Sequence, residues 1–170
     1  MKPERLIAFL PITLALASCT RPDPMGPPEI ALDQTECVEC GMIVSDERFA
    51  CASIVMVEDG HTEPRVFDDI NCLVLHEVTG HRPSDIVARW VHDKDTLAWI
   101  NAERAHYVWS EDLSTPMMSH IAAFVELKDA ESLRERLGGE TLSFAKICYL
   151  FTPESLREQP AQGDNSPGTD

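Results

Sequence analysis

The chain has 170 residues, 44% of them hydrophobic, which is enough for one ordinary domain or two small halves around a shared core. Its formal net charge is −15. Such an acidic surface repels nucleic acid and anionic lipid head groups, so a nucleic-acid partner is excluded and any membrane contact has to come from something other than surface charge.

The first predicted element is a leader. Met1 to Arg5 is short and net positive, and Leu6 to Ala17 is apolar over about 12 residues, too short to span a bilayer as a stable helix. It ends in Leu16-Ala17-Ser18-Cys19, a lipobox-like sequence, so residues 1–18 are expected to be a lipoprotein signal and Cys19 the lipidated residue. That places the protein in the cell envelope, facing the periplasm and held to the membrane through the lipid on Cys19. Residues 19–33 carry Pro22, Pro24, Pro27 and Pro28 and read as an extended tether. The folded domain is expected over residues 34–151, with 152–170 a disordered acidic tail.

Within the domain, Phe49 to Val57 is strand-prone, Glu58 to His61 is a turn, and Pro64 to Phe67 begins a return strand. Asp68-Asp69 marks a helix start, and Ile70, Leu73, Val74 and Val78 give that helix an apolar face ending at Gly80. Ile86 to His92 is a strand. Short strands follow at Ala98 to Ile100 and His106 to Trp109, then a strand over Ile121 to Leu127. Asp129 to Leu137 reads as a helix closed by Gly138-Gly139, and Thr141 to Ile147 as a last strand. The order strand-strand-helix-strand occurs twice, which predicts an α+β fold of two similar halves packed together.

Chemistry concentrates in Cys37-Val38-Glu39-Cys40-Gly41-Met42. Two cysteines at this spacing can share a metal or form a redox pair, and Gly41 frees the backbone for a tight knuckle. The thioether of Met42 suits soft copper(I) better than zinc. A second cluster, Thr115-Pro116-Met117-Met118-Ser119-His120, falls in a loop; Met117 or His120 could supply a further donor, or the methionines could fill gaps in the core. With Cys19 set aside, five cysteines remain, an odd number for a disulfide framework. Cys51 and Cys72 fall in a strand and a helix, where buried thiols or a disulfide are expected rather than ligands, and Cys148 reads as core. His92-Asp93 reads as structural packing and Asp68-Asp69 as a helix cap. No phosphate loop, nucleophile elbow or HExxH pattern is present, so no enzyme is expected.

The chain resembles the NosL family of copper-binding lipoproteins, which assist maturation of nitrous oxide reductase. The resemblance runs from about Cys37 to Ile147. It rests on Cys37 to Met42, Val66-Phe67-Asp68-Asp69-Ile70, Trp90-Val91-His92-Asp93, Trp99-Ile100-Asn101-Ala102, Ala105-His106-Tyr107-Val108, Ser114-Thr115-Pro116-Met117, Ala123-Phe124 and Gly138-Gly139. It implies one copper(I), with Cys40 and Met42 matching the Cys-Gly-Met motif and Met117 the Pro-Met motif, and Cys37 as a further candidate ligand. It also implies delivery of the ion to apo-nitrous oxide reductase or another envelope copper enzyme. Met118 stands where the family usually has glycine, and Cys51, Cys72 and Cys148 are additions. Two other readings stay open on the residues alone: a thiol–disulfide oxidoreductase using Cys37 and Cys40, and a structural zinc-binding interaction domain.

Overall fold

The computed structural model describes residues 23–80 and 85–157; the expected leader, Cys19 with its expected lipid, and the end of the tail lie outside them. The elements are β1 (Cys51–Met56), β2 (Thr62–Phe67), α1 (Ile70–Gly80), β3 (Ile86–His92), β4 (Trp99–Asn101), β5 (His106–Trp109), β6 (Ile121–Phe124), α2 (Leu127–Leu137), β7 (Glu140–Leu142), α3 (Phe144–Phe151) and α4 (Glu154–Arg157). The expected duplication is there in topology. β1-β2-α1-β3 and β5-β6-α2-β7 each put their first strand in the middle of an antiparallel sheet, in the orders β2-β1-β3-β4 and β6-β5-β7.

Strand alternation sorts the side chains into layers. Tyr107, Ile121 and Ala123 point into a core shared with Cys51, Phe67 and Val91 of the first sheet, with Leu73 and Val74 of α1, and with Ile147 of α3. Their neighbours Val108, Ala122 and Phe124 point the other way, onto Ala130 and Leu133 of α2. One central core therefore joins the two halves. Of the residues expected to form a tether, described ones among 23–33 lie along the outer face of the first sheet. There Ile30 and Leu32 pack on Val44, Ala50 and Val66, and the indole N–H of Trp90 donates to the carbonyl of Met25 at 2.9 Å.

Two predicted boundaries are corrected. The strand expected over Ile121 to Leu127 stops at Phe124, because the Val125 N–H turns to the Asp93 carboxylate at 2.8 Å and Leu127 already opens α2. The strand expected over Thr141 to Ile147 ends at Leu142. Ser143 then caps α3, its hydroxyl accepting from the Lys146 N–H at 3.2 Å. Phe144, Ile147, Cys148 and Phe151 recur at helical spacing and turn one apolar stripe to the core, so Cys148 is a half-buried helix residue rather than a strand end.

Asp93 and His92 are structural, as expected. Asp93 accepts from the N–H groups of Asp95, Thr96 and Val125 and from the Thr96 hydroxyl. His92 is buried, donates Nδ1–H to the carbonyl of Ala50 at 2.8 Å, and lies against the Trp99 ring at 3.7 Å between centroids.

Candidate metal centre

The segment 37–42 folds as a knuckle. The Gly41 N–H donates to the Cys37 carbonyl at 2.9 Å and the Cys37 N–H to the Met42 carbonyl at 2.8 Å. Closing so tight a loop needs a left-handed residue, and Gly41 supplies it at φ 74°. The knuckle is fastened to β2 through Val38 N–H and the Val66 carbonyl at 3.0 Å. It is fastened to α1 through Glu39 and His76 Nδ1, 3.0 Å apart.

The first turn of α1 grips the other candidate segment. Asp69, 1% exposed, accepts on Oδ1 from the Ile70 N–H and the Ser119 hydroxyl. On Oδ2 it accepts from the Thr115 hydroxyl and from the N–H groups of Met117 and Ser119. Asn71 donates its amide to the Met117 carbonyl at 2.8 Å. The helix-cap role expected for Asp69 is thus joined by a second one, holding the 115–119 loop across the molecule against the knuckle.

Between these two grips lies Cys72. Its Sγ and those of Cys37 and Cys40 all fall within 4.8 Å of one another. This was the residue missed at the sequence level, where its helical position pointed to plain burial. Periodicity names the buried face of a helix but not which distant segment meets it. An open cleft of about 230 Å³ reaches two of the three cysteines, its wall made by Glu39, Cys40, Asn71, Cys72, Leu75, Met117 and Phe151. Cys40 and Met117 therefore share one wall system, although they are far apart in sequence and come from different halves of the fold.

The remaining sulfurs and the histidine sit elsewhere. Met42 is 57% exposed at the end of the knuckle, outside the cleft wall. Met118 is 72% exposed. His120 is committed through Nδ1 to the Leu113 carbonyl at 2.8 Å. Cys51 is fully buried in the core.

The three thiols are not equivalent. Cys37, 2% exposed, is the sulfur that ionises first. A hydrogen bond from the Cys72 thiol, and backbone N–H groups of Cys40, Asp68 and Glu39, outweigh burial and lower it to about 5. Cys72 is held well above the ordinary thiol range by the proton it shares with Cys37 and by burial, and burial raises Cys40. Three convergent sulfurs with one ready thiolate and a neighbouring thioether form a donor set for a soft ion.

Residues 28–149 match the NosL family. Among solved structures, the chain is similar to the crystal structure of the copper chaperone NosL from Shewanella denitrificans, with a TM-score of 0.58 and 23% identity. That likeness covers 71% of this chain and 96% of the other, and at this identity it speaks for a shared fold. No match is found among curated proteins.

Proposed function

The chain belongs to the NosL family, and from that premise we propose that it is a metallochaperone: it binds copper(I) at the cleft beside Cys40 and hands the ion to an apoenzyme, without catalysing a reaction. The client is a copper enzyme of the cell envelope, nitrous oxide reductase being the one the family resemblance names. The lipid on Cys19 would hold the carrier at the membrane beside that client; two acyl chains on one glycerol suffice for stable anchoring.

The single observation that carries this reading is that Cys40 and Met117 line the same cleft. A thiolate paired with a thioether favours copper(I), while a closed structural zinc site takes four thiolate or imidazole donors. The cleft is open, so an incoming ligand of the client can reach the ion and displace the protein's donors one at a time. Cys37, behind Cys40, serves as a further thiolate. Met42, on the exposed end of the knuckle, serves as a thioether that can swing to the ion or meet the client.

One observation favours thiol–disulfide exchange instead: the lowered Cys37 thiol beside two others. Its burial opposes that role, since an external disulfide has no path to a sulfur 2% exposed.

The test is an anaerobic copper(I) titration of the protein against a competing chelator, with Met42→Ala and Met117→Ala alongside. One-to-one binding that Met117→Ala weakens supports the chaperone. Binding that neither substitution affects removes the thioethers from the site and with them this reading.

A further inference from the structure

Cys72 belongs to neither of the motifs that the copper(I) reading uses, yet it stands where both converge. An isolated buried cysteine packs as a small hydrophobe among apolar neighbours. Cys72 instead faces two other sulfurs, all three within 4.8 Å of one another, and shares in the wall of the open cleft. Its backbone is firmly anchored. It lies in the first turn of α1, and its N–H is held by the side-chain oxygen of Asn71 at 2.9 Å. The same Asn71 side chain holds the carbonyl of Met117 at 2.8 Å, so one residue sets the position of both donors.

We infer that Cys72 is a ligand of the transported ion, completing an inner seat of three thiolates, Cys37, Cys40 and Cys72, with Met117 as the donor on the cleft side. This inference rests on the copper(I) reading above and adds to it a third thiolate and an order of release. Each added thiolate raises the hold on a soft ion over buffering thiols. Exchange then starts at the open face, where the thioether is the weakest donor. It proceeds through Cys40 and Cys72 at the cleft wall and ends at Cys37, which is buried behind them.

The experiment uses the full chain loaded anaerobically with copper(I), read by X-ray absorption for the number of sulfur neighbours and by chelator competition for affinity. Cys72→Ser is compared with wild type and with Cys148→Ser, a half-buried thiol outside the cluster. The expected result is one sulfur fewer and an affinity lower by at least about tenfold, equivalent to about 1.4 kcal/mol, in Cys72→Ser alone. Should Cys72→Ser fail to fold, the double variant Met42→Ala/Met117→Ala decides. With both thioethers gone, three sulfur neighbours place Cys72 on the ion and two remove it. Unchanged affinity and sulfur number in a folded Cys72→Ser overturns the inference and leaves the chaperone standing. A wild-type chain that takes up no copper(I) overturns both.

Discussion

Asn71 donates its side-chain amide to the backbone carbonyl of Met117 at 2.8 Å, tying the helix that carries Cys72 to the loop that carries the thioether. The 115–119 loop is thereby held in register with the knuckle without spending any sulfur on the task.

Asn71→Ala therefore keeps every proposed donor atom but removes one tie on the loop and the side-chain acceptor of the Cys72 N–H, while Asp69 still holds the loop. The expected cost is about 1–2 kcal/mol of stability for two partly buried hydrogen bonds, measured by urea unfolding. Copper(I) affinity should fall by up to about tenfold, as for other changes that act on a metal site through its supports. An Asn71→Ala protein with wild-type affinity and exchange rate would show that Asp69 alone fastens Met117 well enough.

Asp69 is the larger structural commitment. It accepts five hydrogen bonds in the interior, two of them from residues it brings across from the second half by side-chain hydroxyls. Asp69→Ala leaves those donors buried and unpaired, and a loss of about 3 kcal/mol or more is expected in denaturant unfolding. Asp68→Ala should be far milder. Its Oδ1 is buried without a hydrogen-bond partner, and its carboxyl is already pushed up to about 6, chiefly by burial. A smaller loss at Asp69 than at Asp68 would contradict the assignment.

His92 sets a pH dependence. Burial lowers its pKa below the ordinary histidine value, against the opposing effects of the Ala50 carbonyl and Glu47. The unfolded chain thus takes up a proton at a higher pH than the folded one. The stability tied to neutral His92 is fully present above about pH 6.5 and drains away as pH falls below it, toward the lowered folded value. Melting temperature should decline from about pH 7 to pH 5, and His92→Phe, which keeps a ring beside Trp99, should start lower and decline less.

Two positions with left-handed backbone should respond in opposite directions. Gly41 sits at φ 74°, and Met118, which carries a side chain, at φ 56°. Gly41→Ala meets no neighbouring atom but forces an L-residue into that conformation, at about 1 kcal/mol, and should disturb the knuckle and weaken ion binding. Met118→Gly relieves the same strain at a site 72% exposed. It should hold or raise the melting temperature, and leave copper(I) affinity unchanged because Met118 lies outside the cleft wall.

The duplicated strand-strand-helix-strand order was legible because each half announces itself locally. β1, β3 and β5 are apolar runs bounded by turn residues, and α1 and α2 carry helical spacing and end at glycines. α3 was not, because Thr141, Leu142, Phe144 and Ile147 read equally well as a strand. The deciding signal was Ser143 as a cap, followed by apolar residues three, four and seven apart from Phe144 to Phe151. At the centre, the knuckle was legible in Cys37, Cys40 and Gly41, since it is closed by its own short-range hydrogen bonds. The arrival of Cys72 beside it depends on how α1 docks against the loop after Glu36. No spacing within α1 records that docking.

The joint made by Asp69 and Asn71 makes cargo and architecture interdependent. The knuckle and α1 belong to the first half, and Met117 to the second. An ion shared by them would rivet the halves together, and melting either one would destroy its seat. Occupancy should then be written into the unfolding curve. A carrier loaded at a free ion concentration a hundred times its dissociation constant would gain about 2.7 kcal/mol over the empty one, and the emptied carrier would be the looser and more readily cleared form.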